Sequence, residues 1–141
     1  MYDRDVVVKL APRTDSDLNS LRNRKVFKEA AMLSELKHVH VLEFIGLSMN
    51  SDTFFYITEY MSHRSFFETM HSEHFQITDK CVFKMLDEVT SGLIYLHGKK
   101  VLHGNLNSRS VLLNDQWQIK ISGFGQERLN HRLRKLAKDR N

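Results

Sequence analysis

Two stretches of the sequence hold side chains that could take part in chemistry. Lys9 lies in a β-branched run and Glu29 in a helical pattern; by themselves they are a surface lysine and a glutamate on a helix face. The second stretch, residues 103–110, reads His-Gly-Asn-Leu-Asn-Ser-Arg-Ser, and Gly123 opens a Gly-Phe-Gly triplet further along. The amide of Asn105 cannot accept a proton as a general base, and a glycine offers a metal no side-chain oxygen. What these residues could do together depends on the elements that position them.

The first half of the sequence predicts a small sheet with one helix. Residues 5–10 are rich in β-branched side chains and are followed by Ala-Pro, which predicts a short buried strand. Apolar residues near helical spacing predict an amphipathic helix over residues 20–37. Residues 41–49 and 54–61 are β-rich runs around a turn-forming Asn-Ser-Asp segment, which predicts an antiparallel pair of strands.

The second half predicts a long helix and two short strands. Thr78 is a suitable N-cap for a helix that continues to about Leu96, with Gly98 as its stop. Short strands are expected over residues 110–113 and 118–121. The helix face expected to pack into the core consists of Val82, Met85, Leu86, Val89, Leu93 and Leu96.

The positive charge of the chain is concentrated at its C-terminal end. The net charge is +4, and residues 126–141, which we call the basic tail, hold six Lys or Arg against two acidic residues. The rest of the chain is therefore close to neutral. Because short charged segments are usually solvated faces, we expect no nucleic-acid partner.

Cysteine content and hydropathy favour a reducing compartment inside the cell. Cys81 is the single cysteine and sits in an apolar helical pattern, so it is expected to be a small core residue. No segment approaches 18 uninterrupted apolar residues, and charged residues occupy the N-terminal positions where a signal peptide would be apolar. We expect no membrane segment in this chain and a cytoplasmic location, which includes the cytoplasmic part of a membrane receptor.

Four motifs, in order over 120 residues, resemble those of protein kinases. Residues 6–9, Val-Val-Val-Lys, stand where these enzymes carry V-A-I-K, on a strand just before a helix. Residues 56–61, Tyr-Ile-Thr-Glu-Tyr-Met, resemble the hinge of Src-like tyrosine kinases. Residues 103–110 are similar to the catalytic loop H-R-D-x-x-x-x-N, and residues 123–125 to D-F-G. The sequence is identified as a member of the protein kinase superfamily, in its tyrosine-kinase-like branch.

This resemblance implies a nucleotide site. In kinases the lysine holds the α and β phosphates of ATP and pairs with a helix glutamate. Thr58 would be the gatekeeper, and Glu59 and Met61 would meet adenine through their backbone. Val7, in the alanine position of the first motif, adds bulk where the adenine ring would lie, so ATP binding stays open. The expected nucleotide-binding residues are Lys9, Glu29, Thr58, Glu59, Met61 and Leu112.

The positions that do chemistry in kinases are replaced. Asn105 stands in place of the aspartate that accepts the substrate proton, which costs about 10² to 10⁴ in rate. Ser110 replaces the asparagine, and Gly123 the aspartate, that bind Mg²⁺, so a bound Mg²⁺ is not expected. The triplet containing Gly104 resembles the kinase-homology domains of receptor guanylyl cyclases and the pseudokinase domains of Janus kinases. Phosphoryl transfer is therefore expected to be very weak or absent.

The expected architecture is an incomplete protein-kinase-like α+β fold, with a small β lobe carrying one helix and the first part of the helical large lobe. We divide it into a small-lobe part, residues 1–61, a large-lobe part, residues 62–125, and the basic tail. The sequence before Lys9 holds no glycine-rich loop, and no A-P-E motif follows residue 125. Apolar faces of the large-lobe part are expected to be uncovered.

The predicted function is that of a catalytically inactive pseudokinase with a regulatory or scaffolding role in signalling. Its expected partner is another protein or the remainder of a larger kinase or receptor chain. Two alternatives stay open: a weakly active ATP-binding tyrosine kinase, and the kinase-homology part of a receptor guanylyl cyclase.

Overall fold

The computed structural model of the chain describes residues 4–12, 21–50, 53–72 and 76–124. These residues form two compact units. The first contains residues 4–12, 21–37, 43–50 and 53–60, and the second contains residues 38–42, 61–72 and 76–124. Strands and helices occur in both units, which confirms the predicted α+β class.

The first unit is a three-stranded antiparallel sheet with one helix. Its elements are β1 (Val6–Pro12), α1 (Leu21–Ser34), β2 (Phe44–Met49) and β3 (Thr53–Glu59). The strand order is β1-β3-β2, so β3 is central and pairs with both neighbours. Pro12, which cannot donate a hydrogen bond to a neighbouring strand, is tolerated because β1 is an edge strand. The prediction that this strand is buried was wrong: Val6, Val8 and Leu10 are 43%, 48% and 68% exposed, because β1 has a neighbouring strand on one side only.

The alternation of buried and half-buried residues along β3 shows which side of the sheet packs in the core. Phe54, Tyr56 and Thr58 are buried, while the residues between them are half-buried. The ring of Phe54 meets that of Phe27 edge to face at 6.5 Å, so this side of the sheet faces α1. On α1, helical spacing brings Val26, Ala30 and Leu33 into the same core.

The second unit contains two helices and a two-stranded antiparallel sheet. Its elements are α2 (Phe66–Met70), α3 (Asp79–Gly98), β4 (Val111–Leu113) and β5 (Ile119–Ile121). Thr78 is the N-cap of α3, as predicted, and its hydroxyl accepts a hydrogen bond from the amide of Cys81. Cys81 is partly buried and packs against the core of this unit, which consists of Met85, Val111, Leu113 and Ile119.

The predicted core face of α3 was partly wrong. Met85 and Leu96 are buried, but Val82 and Leu86 are 37% and 57% exposed. The buried residues of α3 are Met85, Gly92 and Leu96, and the sequence prediction left out Gly92. The helix is therefore oriented so that Gly92, rather than Val82 or Leu86, faces the neighbouring strand.

A close approach of backbone explains this orientation. A Cβ atom on Gly92 would lie 2.7 Å from the carbonyl oxygen of His40 and 2.8 Å from Cδ1 of Ile121. Residues 38–42 run beside β5 here: the amide of Ile121 donates to His40 O, and the amide of Leu42 donates to Ile121 O, both at 2.9 Å. Val41 forms a parallel bridge with Ile121, so β2 begins at Phe44 rather than at the predicted residue 41.

The short helix α2 was missed by the sequence prediction. Ser65 is its N-cap, and its side chain accepts from the amide of Glu68, whose carboxylate accepts in turn from the amide of Ser65. This capping box also lowers the pKa of Glu68, mainly through the backbone hydrogen bond from Ser65. A serine three residues before a glutamate is a known helix-start signal, so the sequence held enough information to find α2.

Candidate functional site

The strand β1 places Lys9 on the side of the sheet that faces α1. Lys9 lies directly opposite Tyr56 in the antiparallel register, and directly opposite residues point to the same side of a sheet. Val7 lies opposite Thr58 in the same way. Partial burial disfavours the charged ammonium group and lowers the pKa of Lys9.

The helix α1 brings Glu29 to the same region. Desolvation, and to a lesser degree the negative charge of Glu29, raise the pKa of Tyr56 to about 12. The Tyr56 hydroxyl is buried and has no hydrogen-bond partner among the described residues. Lys9 and Glu29, two of the predicted site residues, therefore both lie next to one buried tyrosine.

The end of β3 is held by a network of charged groups. Glu59 is buried, and its carboxylate accepts a hydrogen bond from the amide of Glu43 at 2.7 Å. Arg4 bridges the two carboxylates, at 2.7 Å from Glu43 and 3.4 Å from Glu59. Lys37 lies 2.6 Å from Glu43, and the hydrogen bonds from Lys37 and Arg4 lower the pKa of Glu43.

This network limits what Glu59 can offer a ligand. Its own amide donates to the carbonyl of Glu43 at 3.1 Å, so that amide is already engaged. Sequence reasoning did not find the network, because Arg4 and Glu43 are far apart in the sequence and no local pattern links them.

Two further predicted nucleotide-binding residues lie in the second unit. Met61 is buried, and its carbonyl accepts from the amide of Arg64 at 3.0 Å in a turn. Leu112 is half-buried in β4, opposite Lys120. It also forms an isolated antiparallel bridge with Ser65. The predicted nucleotide-binding residues are thus divided between the two units, with Lys9, Glu29, Thr58 and Glu59 in the first.

The loop after α3 is organised by His103. Its ring is buried, and Nε2 lies 2.8 Å from the carbonyl oxygen of Ser122, to which it donates. Nδ1 accepts from the amide of Asn105 at 3.3 Å. Since one nitrogen donates and the other accepts, these contacts fit the neutral ring protonated on Nε2. The ring also meets Phe124 edge to face at 6.3 Å.

Local hydrogen bonds hold the polar residues that follow. The side-chain amide of Asn107 donates to both the side-chain and the backbone oxygen of Asn105, at 3.2 and 3.0 Å. The Ser110 hydroxyl accepts from the amide of Asn107 at 2.9 Å and donates to its carbonyl at 2.8 Å. The side chains of Asn105 and Ser110 are therefore parts of a turn.

Gly123 lies beside Ser110, in a backbone conformation that few side chains adopt. Its φ is +82°, and a Cβ atom there would contact only the Cβ of Ser110, at 3.9 Å. The structure therefore brings Ser110 and Gly123 together. Neither residue carries a carboxylate.

The donors at this location do not fit a magnesium ion. Mg²⁺ is bound in proteins through carboxylate oxygens together with water and phosphate. Asn105, Ser110 and Gly123 provide one amide, one hydroxyl and no side chain. Across the residues that the structure describes, no group of three or more His, Cys, Asp or Glu could hold a metal.

Comparison with known proteins identifies the family. The family described as "Protein tyrosine and serine/threonine kinase" matches residues 2–140. The chain belongs to this protein kinase family. Its fold is accordingly an incomplete protein-kinase-like α+β fold, and the predicted resemblance is confirmed.

Individual relatives of this kinase family include both kinases and cyclases. The chain is 31% identical over 122 residues to the probable serine/threonine-protein kinase drkB of Dictyostelium discoideum. It is 28% identical over 118 residues to the receptor-type guanylate cyclase Gyc76C of Drosophila melanogaster. It is 31% identical over 103 residues to the tyrosine-protein kinase Abl of the same fly.

These relatives are much longer than the matched region. The matches cover 85%, 83% and 72% of this chain but only 17%, 8% and 6% of drkB, Gyc76C and Abl. The region that this chain matches is therefore a small part of larger kinase and receptor chains. Within the described ranges, no helix is both long and apolar enough to cross a membrane.

Proposed function

We propose that this chain is a kinase-like regulatory module that does not transfer phosphate and acts by binding a protein or the remainder of a larger chain. One observation carries the proposal. Where kinases place two metal ligands, this chain places Ser110, whose hydroxyl is engaged in a local turn, and Gly123, which has no side chain.

Asn105, in the same loop as Ser110, supports the same proposal. Asn105 occupies the position of the proton acceptor, and its amide cannot act as a base. Losing a general base alone costs about 3–5 kcal/mol of barrier, which would leave slow activity. Losing the metal ligands as well removes the main stabilisation of the charge that develops on the transferred phosphoryl group.

The packing around the loop supports a structural use of the fold. His103 keeps hydrogen bonds at both ring nitrogens, and Phe124 stays buried against it. A loop that retains its shape while its catalytic side chains are absent suits a surface that is recognised rather than one that reacts. The proposed setting is intracellular, where the free thiol of Cys81 would stay reduced.

A second candidate function is a weakly active, ATP-binding kinase. It is favoured by the position of Lys9 and Glu29 beside Tyr56 in the first unit. In this alternative Lys9 would bind phosphate oxygens, and Thr58 and Glu59, which belong to the same unit, would lie near the base. Partial deprotonation of Lys9, which its lowered pKa favours, would weaken that contact at high pH.

Phosphotransfer measured with matched variants separates the two functions. The chain is incubated with labelled ATP and Mg²⁺ or Mn²⁺, next to Lys9→Met, and incorporation into the chain and a generic peptide is followed. We expect equal, background-level incorporation for both proteins. Incorporation that Lys9→Met abolishes would contradict the proposal and establish the weakly active kinase.

A variant in which the three kinase residues are restored tests whether their replacement causes the proposed loss of metal binding. We expect Asn105→Asp, Ser110→Asn and Gly123→Asp together to raise ATP and Mg²⁺ binding above the level of the parent chain. Aspartate tolerates positive φ better than most residues, and the nearest atom to a new Cβ at position 123 is at van der Waals distance. Single replacements serve as controls, because one carboxylate alone should not restore the metal site.

A further inference from the structure

Residues 38–42 form a short segment that belongs to the second unit, although the residues on either side of it belong to the first. Two backbone hydrogen bonds of 2.9 Å join it to β5, from the amide of Ile121 to the carbonyl of His40 and from the amide of Leu42 to the carbonyl of Ile121. Val41 and Leu42 are buried. We call residues 38–42 the anchor segment, because these contacts hold it in the second unit.

Two histidine rings lie side by side in the anchor segment. The ring of His38 stacks on that of Tyr95 in α3, with centroids 4.8 Å apart and planes 22° apart. The rings of His38 and His40 are 5.8 Å apart and tilted. Both histidines are half-buried. Since histidine changes its charge between about pH 5 and pH 8, the segment holds two neighbouring groups that can titrate near neutral pH.

The contact that His38 makes requires a neutral ring. Its Nδ1 accepts a hydrogen bond from the main-chain amide of His40 at 3.1 Å. An imidazole nitrogen accepts only when it carries no proton, so the proton of the neutral ring lies on Nε2. The amide of His40 can only donate. Protonation of Nδ1 would therefore place two N–H groups against each other and break this hydrogen bond.

The contacts of His40 tolerate a positive charge. Its Nδ1 donates to the carbonyl of Ile119 at 3.0 Å, because a carbonyl oxygen can only accept. The same nitrogen lies 3.9 Å from the carboxylate of Glu88. Both contacts persist when the second ring nitrogen is also protonated. A fall in pH therefore acts on the anchor segment through His38 rather than through His40.

The charged groups around the anchor segment do not stabilise a charge on His38. Burial of the ring, and to a lesser degree the charge of His40, lower the pKa of His38. Glu88 of α3 lies near His40, and the two residues of β5 that meet the segment, Ile119 and Ile121, are uncharged. The other charged groups in these contacts are Lys37, which pairs with Glu43, Lys84, which pairs with Glu88, and Lys99, which lies 5.8 Å from the ring centre of Tyr95. The folded chain therefore favours the uncharged form of His38.

We propose that His38 is a pH-sensitive latch: protonation of its Nδ1 breaks the hydrogen bond from His40 and releases the anchor segment from α3 and β5. In the released segment His38 has its ordinary pKa of 6.5, whereas in the docked segment this pKa is lower. The docked form therefore binds the proton less readily than the released form. Docking is fully favoured above about pH 6.5 and weakens as the pH falls below that value. A chain that transfers phosphate would carry the same latch.

Amide hydrogen exchange in the full chain tests the latch. It is followed by nuclear magnetic resonance at about pH 7.5 and about pH 5.5 and corrected for the intrinsic effect of pH on exchange. With a pKa of 6.5 in the released segment, protonation of one histidine weakens docking by at most about tenfold at pH 5.5. We expect the protection of the amides of Leu42 and Ile121 to fall by about three- to tenfold between the two pH values.

Two variants assign this fall to His38. His38→Asn removes the titrating ring and keeps an acceptor, because an asparagine side chain commonly accepts from the amide two residues later. We expect the protection of Leu42 in this variant to change by less than about twofold with pH. His97→Asn, at an exposed histidine near the end of α3, is the control and should behave as the parent chain does. Unchanged protection in the parent chain, or an equal fall in His38→Asn, overturns the proposal.

Nitrogen-15 chemical shifts of the two rings in the parent chain supply a test that needs no variant. At about pH 7.5 we expect the proton of His38 on Nε2 and that of His40 on Nδ1, as their hydrogen bonds require. These shifts distinguish the two neutral forms from each other and from the charged ring. A His38 ring that carries its proton on Nδ1, or that is already charged at this pH, overturns the proposal.

Discussion

The hydroxyl of Ser110 binds both backbone groups of Asn107, accepting from its amide at 2.9 Å and donating to its carbonyl at 2.8 Å. One small side chain therefore closes the turn that precedes β4. In a kinase this position supplies an oxygen to a metal ion. In this chain, the same position has a fully local use.

Replacing Ser110 tests how much that turn depends on it. We expect Ser110→Ala to lower the free energy of unfolding by about 1–2 kcal/mol, because a buried hydroxyl with two hydrogen bonds is lost. Urea unfolding followed by far-ultraviolet circular dichroism measures the change. Ser108→Ala in the same turn is the control and should change stability by less than about 0.5 kcal/mol. If Ser110→Ala changes stability as little as Ser108→Ala does, the turn does not depend on the Ser110 hydroxyl.

Adding one methyl group to α3 tests the close approach at Gly92. We expect Gly92→Ala to destabilise the chain by about 1–3 kcal/mol, since the new Cβ would be 2.7 Å from the His40 carbonyl oxygen. Gly98→Ala is the matched control in the same helix, because nothing lies within 4 Å of its Cβ position. Alanine favours helix over glycine by up to about 1 kcal/mol, so the control should be neutral or stabilising. A stabilising Gly92→Ala would contradict the described packing.

Removing the buried hydroxyl of Tyr56 should strengthen the first unit. A buried polar group without a partner costs about 1–3 kcal/mol, and phenylalanine fills the same volume without that cost. We therefore expect Tyr56→Phe to raise the free energy of unfolding by about 1 kcal/mol. Tyr60→Phe, at an exposed tyrosine, should have no effect. A clear loss of stability in Tyr56→Phe would mean that the hydroxyl is satisfied in solution.

Acid should weaken the network that Arg4, Lys37 and Glu43 form. The pKa of Glu43 is lower in the folded state than its ordinary value of 4.5. Its ion pairs therefore stabilise the fold fully at pH values above 4.5. That contribution is lost as the pH falls through the lower, folded-state pKa. We expect this loss of stability to be less than about 1 kcal/mol, because the side chains of Arg4 and Lys37 are half exposed to solvent.

Unfolding free energies measured from neutral pH down to about pH 3 check this expectation. Relative to the parent chain, Glu43→Gln should be less stable at neutral pH and should lose less stability on acidification. Glu35→Gln, at an exposed glutamate near the end of α1, is the control and should follow the parent chain. Parallel curves for the parent and Glu43→Gln would show that the ion pairs contribute nothing.

Local signals in the sequence were enough for most of the elements. The β-branched residues before Pro12 predicted β1, the Asn-Ser-Asp turn predicted the pairing of β2 with β3, and Thr78 predicted the start of α3. Each of these depends on residues that are neighbours in the sequence. Val41 was misassigned because its partner, Ile121, lies far along the chain and could not be read locally.

The same reasoning explains what was missed at the site. The core face of α3 depends on the contact of Gly92 with His40, and the end of β3 depends on Arg4 and Glu43; both are contacts between distant parts of the sequence. The roles assigned to Ser110 and Gly123 as replaced metal ligands stay predictions, although the two residues lie next to one another. The assignment of nucleotide-binding roles to Lys9, Glu29, Thr58, Glu59, Met61 and Leu112 stays a prediction.

His103 binds the main chain at both of its ring nitrogens, through the amide of Asn105 and the carbonyl of Ser122. Every residue except proline has the same main-chain amide and carbonyl groups, so replacing the side chain at position 105 or 122 with any residue but proline leaves these two hydrogen-bonding groups in place. The shape of this loop therefore does not depend on whether position 105 carries an amide or a carboxylate side chain. A fold supported in this way can lose an activity in single steps and still keep its shape.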